Sequence, residues 1–207
     1  FVLLLHNIVP CRRFYLYISH IYGNIQSDET LAKKLIWDNT KEVIVMEKRA
    51  VFVQEIHTEC KINAPSDKVY AVISDFAHYA EWTDEMTISG DKNSGGKLCI
   101  KVKTADGGKG WFTLSSKIRH NDTHLIAFDN VMGAPFLFFG RQCFELIPLA
   151  GNQTMLINAE TFSGLTVPFV RKDLLSTTRR FKENMNLALK RAVETANSAE
   201  KTSVKRG

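Results

Sequence analysis

This chain of 207 residues has few cysteines, and they form no pattern. Cys11, Cys60, Cys99 and Cys143 lie far apart, without a CxxC pair or a Cys/His ligand spacing. Zinc sites and disulfide frameworks are recognised by such spacings, so the sequence predicts neither. A reducing compartment, the cytoplasm, is the simplest expectation.

Long apolar runs are also missing. The N-terminal segment reads "FVLLLHNIVPCRRFYLYISHIYG", and polar residues interrupt each of its apolar stretches. A membrane helix needs about 20 apolar residues, and "FVLLL" alone is too short for the core of a signal peptide. We expect residues 1–48 to form an N-terminal extension, with no structure assigned to it.

The charged residues form no contiguous basic face. Lys and Arg together number 27 against 22 Asp and Glu, a net charge of +5, but the basic residues are dispersed. Nucleic acid binding needs a basic surface that faces phosphates, so no nucleic acid partner is expected. His78, His120 and His124 lack a metal-ligand spacing, and the glycines of "SGGK" and "DGGKG" are typical of hairpin turns. No metal and no cofactor are predicted.

Regular patterns begin near residue 49. The segment "VFVQEIHTECKI" alternates between a less charged set of residues and a more charged set, which predicts a strand with one buried face. The less charged set, expected to face the core, is Phe52, Gln54, Ile56, Thr58, Cys60 and Ile62. In "NAPSDKVYAVISDF", apolar residues at helical spacing predict an amphipathic helix with Ser66 as its N-cap.

A run of about six strands follows, and then one long helix. "KLCIKVK" and "WFTLSSKI" read as a hairpin, and "HLIAFDN", "FLFFGRQCFELIP" and "TMLINAETFSG" continue an antiparallel series. The last segment places an apolar stripe along a basic helix, and residues 197–207 read as a polar tail. The prediction is an α+β domain over residues 49–196, in which a curved antiparallel sheet wraps around the C-terminal helix.

Four segments carry a resemblance to a known family. The chain resembles the START-like, or Bet v 1-like (SRPBCC), superfamily, and within it the polyketide cyclase/dehydrase-like proteins. The similar segments are "INAPSDKVYAVISDFAHYAEW", "GRQCFELIP" with "ETFSGLTVPFV", and "FKENMNLALKRAVE". The resemblance implies the helix-grip fold, with two short helices after the first strand and an apolar cavity that holds lipids, polyketides or similar molecules. A minority of the family uses that cavity for cyclisation or dehydration.

Two departures from the family pattern bear on catalysis. Where many relatives carry His in a G-x-H-x-F strand motif, this chain has Gln142, and the next strand has Asn158 where relatives also carry His. Neither amide can act as a general base near neutral pH. Glu160 is then the one ionisable residue we regard as a candidate acid or base, because burial would raise its pKa.

Fourteen residues are predicted to line the ligand cavity. The two-residue period turns Phe138, Gln142 and Phe144 inward together, and likewise Asn158 and Glu160. The full predicted set is Phe76, Tyr79, Trp82, Phe112, Phe128, Phe138, Gln142, Phe144, Asn158, Glu160, Leu174, Thr178, Phe181 and Met185. The alternative for Gln142, Asn158 and Glu160 is a buried structural network, paired with one another or with Arg179 or Lys182.

Three functions remain open at this point. The leading hypothesis is a monomeric carrier that binds a small hydrophobic molecule, and the second is a cyclase or dehydratase that uses Glu160. The third is a protein-interaction module acting through "GAPFLFF", residues 133–139, or through the N-terminal extension. For "GAPFLFF" we favour burial in a central strand over a pocket mouth that makes a transient membrane contact.

Overall fold

The computed structural model describes residues 43–49, 52–103 and 110–204 of the chain. The extension predicted for residues 1–48 lies outside the described residues as far as residue 42, and that part stays a prediction. The described strands are β1 (Val43–Arg49), β2 (Val53–Ile62), β3 (Met86–Gly90), β4 (Lys97–Lys103), β5 (Trp111–Asn121), β6 (Leu125–Met132), β7 (Phe138–Leu149) and β8 (Gln153–Ser163). The helices are α1 (Ser66–Ile73), a 3-10 helix (Phe76–Glu81) and α2 (Val167–Val204).

The described strands form one antiparallel sheet of eight strands in the order β1-β2-β8-β7-β6-β5-β4-β3. Each strand from β3 to β8 pairs with the next one in the chain, as the predicted hairpin series requires. The sheet curls around the long C-terminal helix, which confirms the predicted helix-grip architecture. α2 packs chiefly on β2.

β2 shows how the alternating sequence selects the inner face of the sheet. Gln54, Ile56, Thr58, Cys60 and Ile62 are buried, as the pattern predicts. Phe52, assigned to the same set, is 52% exposed because it precedes the first paired residue of the strand. The buried polar members, Gln54 and Thr58, therefore lie among apolar side chains.

Both ends of the predicted domain extend further than expected. β1 pairs with β2 from Val43 onward, before the predicted boundary at residue 49. α2 continues to Val204, past the predicted end at residue 196, and the Asn197 side chain is held by a bond to the Asn63 carbonyl at 3.1 Å. Both corrections have the same cause, because a contact with another element stabilises a segment whose own pattern is weak.

The helical segment between β2 and β3 closes one end of the core. α1 begins directly after Pro65, whose carbonyl accepts bonds from the amides of Lys68 and Val69 at 3.1 and 3.2 Å. Ser66 is thus the first helical residue, and the predicted Ser66 N-cap is wrong, since the cap position is Pro65 without a side-chain bond. The proline is preset for that position by its fixed φ.

Burial of aromatic residues in the core generates the first prediction. Phe144 is 1% exposed and packs against Phe128 with ring centroids 6.3 Å apart, so Phe144→Ala should lower the free energy of unfolding by about 3–5 kcal/mol. Phe112 is 41% exposed, and Phe112→Ala should lower it by about 1 kcal/mol or less. Urea unfolding of both variants measures this, and equal losses would contradict the assignment of Phe144 to the core.

Candidate functional site

A cluster of polar side chains lies in the interior, between the inner face of the sheet and α2. Strands β7 and β8 place Gln142 directly opposite Glu160, and strands β2 and β8 place Thr58 opposite Asn158. α2 supplies two further side chains from above. We call this set the polar cluster; its members are Thr58, Gln142, Asn158, Glu160, Lys182 and Asn186.

Lys182 is the centre of the polar cluster. Its side chain is 0% exposed, and Nζ donates to Gln142 Oε1 at 3.0 Å and to Asn158 Oδ1 at 2.8 Å. Glu160 Oε2 lies 3.3 Å from the same nitrogen. These three oxygens match the three protons of an ammonium group, so every donor of Lys182 has a partner on the sheet.

A second set of bonds fixes the orientation of the amides. Asn158 Nδ2 donates to Asn186 Oδ1 at 2.8 Å, and Asn186 Nδ2 donates to Thr58 Oγ1 at 2.9 Å. Gln142 Nε2 donates to Asn158 Oδ1 at 2.6 Å. Since Asn158 accepts from Gln142 and Lys182 through one oxygen, its amide can lie in only one of its two orientations. The network therefore sets a unique register between α2 and the sheet.

Burial and pairing shift the two ionisable groups in opposite directions. Burial lowers the pKa of Lys182 from 10.5 to about 8, although the neighbouring Glu160 carboxylate favours the charged ammonium. Burial raises the pKa of Glu160 above its ordinary value, and Lys182 only partly offsets this. Loss of water penalises both charges, and their mutual attraction recovers part of that penalty.

Glu160 and Lys182 also differ in how far their side chains are exposed to solvent. Its side chain is 12% exposed, whereas that of Lys182 is 0% exposed. A water-sized molecule can therefore touch the Glu160 side chain but not the lysine. Within the polar cluster, Glu160 is therefore the charged group that is partly exposed.

The predicted aromatic and apolar residues lie in several parts of the fold. Phe128, Phe144, Phe181 and Met185 are buried in the core below the polar cluster. They fill that part of the interior rather than line an open space. The structure thus assigns them to packing, and their predicted contact with a ligand stays untested.

A second group of them lies on the other side of the polar cluster. Phe138 and Phe162 contact each other with ring centroids 5.8 Å apart, and Gly140 lies opposite Phe162. On α2, Thr178 precedes Lys182 by about one turn, and Leu174 precedes Thr178 by another. Phe138 and Leu174 are half-buried, whereas Phe162 and Thr178 are buried.

Phe76, Tyr79 and Trp82 lie together at another place in the fold. The rings of Tyr79 and Trp82 are 4.7 Å apart, and the Tyr79 hydroxyl donates to the Ile73 carbonyl at 2.6 Å. Phe76 and Tyr79 are buried in the core. Trp82 lines a cleft of about 410 Å³ against α2. Its other lining residues are Ala80, Glu81, Thr83, Asp84, Glu85, Asn184, Leu187, Ala188 and Arg191.

Two expectations about apolar residues need correction. Phe112 was predicted to face the cavity, but it is 41% exposed at the start of β5. The "GAPFLFF" segment was predicted to be buried, but Phe136 is 63% exposed and Leu137 37%. β7 begins only at Phe138, so the apolar residues before it form a loop and have no paired strand to cover them.

Thr58, Lys182 and Asn186 are the members of the polar cluster that the cavity prediction omitted. Lys182 appeared there only as one possible partner in a structural network. Thr178, Lys182 and Asn186 are four residues apart, which places them on one face of α2. A lysine and an asparagine in line with an apolar stripe are the sequence signal for a polar contact inside the core.

No group of His, Cys, Asp or Glu in the described ranges has the arrangement of a metal site. Of the helices in those ranges, none is both long and apolar enough to cross a membrane.

The lowered pKa of Lys182 leads to a test by pH. Below about pH 8 the amine is protonated in both the folded and the unfolded chain. Between about pH 8 and 10.5 the unfolded chain holds a proton that the folded chain has released, so this group makes stability rise with pH. Relative to a Lys182→Met variant, the wild type should gain free energy of unfolding across this window.

Urea unfolding of both proteins at a series of pH values measures the difference. Lys97→Met, at an exposed position of β4, is the matched control and should keep the wild-type pH profile. A constant difference between wild type and Lys182→Met from pH 8 to 10.5 would contradict the lowered pKa.

Comparisons with solved structures agree with the fold. The Zhui aromatase/cyclase from Streptomyces sp. R1128 is similar with a TM-score of 0.58 and 18% identity, covering 69% of this chain and 94% of that one. The di-domain aromatase/cyclase BexL of the BE-7585A biosynthetic pathway gives a TM-score of 0.59 at 14% identity, over 70% of this chain and 52% of that one. Norcoclaurine synthase of Thalictrum flavum, in complex with dopamine and hydroxybenzaldehyde, gives 0.52 at 16% identity, over 72% and 95%.

No curated protein matches the sequence of this chain. The family model described as "Polyketide cyclase / dehydrase and lipid transport" matches residues 53–196, which include β2 to β8, all of the polar cluster and most of α2. The resemblance in the sequence segments is thereby confirmed, and the chain belongs to the polyketide cyclase/dehydrase and lipid transport family of SRPBCC proteins.

Proposed function

We propose that the protein binds a small, mostly apolar molecule that carries one hydrogen-bond donor, and that Glu160 accepts that donor. The observation that carries the proposal is the unequal access to the ion pair. Lys182 is fully enclosed and its three donors are occupied, while the Glu160 side chain is 12% exposed. A hydroxyl or amine on the ligand suits a carboxylate in this position.

The apolar part of the ligand would lie between Glu160 and the half-buried side chains of Phe138 and Leu174. Phe138, Phe162, Leu174 and Thr178 would contact it, and Gly140, opposite Phe162, adds no side chain there. Apolar contact contributes about 25 cal/mol for each Å² that is buried, less the entropy lost on binding. Affinity would therefore come from apolar burial, and orientation from Glu160.

The family and its neighbours support a ligand of this kind without naming it. The family description includes lipid transport as well as cyclisation and dehydration. One similar structure holds dopamine and hydroxybenzaldehyde, which are aromatic molecules with hydroxyl groups. Gln142 and Asn158 stand where many relatives carry histidines. Because amides cannot act as general bases, this difference favours binding over catalysis.

The ion pair itself favours a second candidate function, a cyclase or dehydratase. Burial raises the pKa of Glu160 and lowers the pKa of Lys182, so both pKa values lie closer to neutral pH than usual. A general acid or base is most effective when its pKa is near the working pH. In that case Glu160 would exchange a proton with a polyketide-like substrate, while Lys182 would stabilise its carboxylate form.

Binding is tested with 2-naphthol and with 2-methoxynaphthalene, which has a similar ring system but no donor. The wild type should bind 2-naphthol about tenfold more tightly, because a bond to a charged acceptor is stronger than a neutral one. Glu160→Gln should remove most of this preference, and Gly140→Leu should weaken both probes by filling the space beside Phe162. Fluorescence titration gives the dissociation constants.

The matched control is Glu55→Gln. Glu55 lies on β2 between the buried residues Gln54 and Ile56, and its side chain is therefore on the outer face of the sheet. This variant should bind like the wild type. Equal affinity of the wild type for the two probes would show that Glu160 does not accept a bond from the hydroxyl group of 2-naphthol. Conversion of a linear poly-β-ketone probe with loss of water, seen by mass spectrometry and abolished in Glu160→Gln, would establish the enzymatic candidate instead.

A further inference from the structure

Large apolar side chains are exposed together at one end of the sheet. They belong to the loop between β6 and β7 and to the segment between β8 and α2 with the first residues of that helix. We call this surface the apolar tip. Its members, with their exposed fractions, are Met132 (51%), Phe136 (63%), Leu137 (37%), Leu165 (54%), Phe169 (88%) and Val170 (44%).

Backbone bonds hold the two segments of the apolar tip together. The amide of Leu165 donates to the Phe136 carbonyl at 3.0 Å, and the amide of Thr166 donates to the Leu137 carbonyl at 3.1 Å. Gly164 has φ +132°, and a Cβ at this position would lie 2.3 Å from the Leu137 carbonyl oxygen. Only glycine permits this approach. The exposed side chains therefore project from a fixed scaffold.

Two further aromatic residues are exposed at the same end of the sheet. The amide of Gly164 donates to the carbonyl of Phe52, which is 52% exposed. Trp111 is the first residue of β5 and is 49% exposed. Ser116 pairs with Asn130, so the start of β5 lies near the end of β6 that carries Met132. Aromatic side chains are enriched where proteins contact the interface of a bilayer, because their flat rings suit the headgroup region.

An exposed basic residue lies beside the apolar tip. The segments 132–141 and 164–172 contain Arg141, Arg171 and Lys172, and the next acidic residue after Lys172 is Asp173. Arg141 is paired with the buried Asp129 at 2.7 Å, so Lys172 carries the charge argument. Lys172 is exposed and follows Phe169 by three residues, so the two lie on neighbouring faces of α2. Anionic lipid headgroups attract such basic residues when apolar side chains bring them to the surface.

The opposite end of the sheet differs both in charge and in exposed apolar side chains. The hairpin between β3 and β4 contains Asp91 and the one between β5 and β6 contains Asp122, each bonded to its own loop. In the hairpin between β7 and β8, Leu149 is 37% exposed, far less than Phe136 or Phe169. Exposed apolar area is thus concentrated at one end, which is typical of an interaction surface.

We propose that the apolar tip docks the protein on a membrane surface that contains anionic lipids. A second copy of the chain is a poorer partner, because symmetrical pairing of this surface would bring the exposed Lys172 of both copies together. Phe138 and Leu174, which border the proposed ligand space, adjoin the two segments of the apolar tip along the chain. Docking through the apolar tip does not depend on which molecule the interior binds.

Co-sedimentation with lipid vesicles tests the proposal on the full chain. The wild type should bind vesicles of phosphatidylcholine with phosphatidylserine, and bind those of phosphatidylcholine alone more weakly. Replacing Phe136 and Phe169 together by serine should reduce binding at least about tenfold, since both rings are exposed and would enter the interface. Lys172→Glu should reduce binding only to the anionic vesicles, and salt should have the same effect.

Two control variants separate docking from loss of fold. Leu149→Ser removes an exposed apolar residue at the opposite end of the sheet, and Lys97→Glu reverses an exposed charge there. Both should bind vesicles like the wild type. Undiminished binding by the Phe136→Ser/Phe169→Ser variant, or no binding by the wild type, would overturn the proposal. So would a concentration-dependent dimer that this double variant abolishes, because the surface would then bind a second copy.

Discussion

The buried Lys182 ammonium is the interaction on which the arrangement of this protein depends. A charge that is completely removed from water requires close partners, and three oxygen atoms from β7 and β8 provide them. Because all three partners are on the sheet and the lysine is on α2, the helix cannot slide or rotate without leaving a buried charge unpaired. Apolar packing alone would tolerate such shifts far better.

This constraint divides the interior into two parts with different properties. On one side of the polar cluster, aromatic and aliphatic residues such as Phe144 and Met185 pack into a closed core. On the other side, Glu160 is partly exposed, and Phe138 and Leu174 are half-buried. A single fold therefore combines a closed core with one charged side chain that is partly exposed.

The fold was largely predictable from the sequence, because its patterns are local. Alternation in β2 and β8 and the helical stripe of α2 record which side chains face inward, and that information does not depend on distant contacts. The wrong predictions concern segments whose structure depends on distant contacts or on their exposure. β1 and the last turns of α2 have weak patterns of their own and are ordered by β2 and by Asn63. Phe136 was misassigned because an apolar run has the same appearance whether a strand or an exposed loop contains it.

The candidate site was predictable only in part. The sequence alone determined that Gln142, Asn158 and Glu160 face the interior, since the two-residue period fixes the face on which they lie. It left open whether they would meet a ligand or a structural partner, because periodicity carries no distances. The tertiary structure decided this by placing Lys182 within 3.3 Å of all three side chains. It also decided which end of the interior is filled, since the fit between a helix and a curved sheet depends on contacts that no single segment contains.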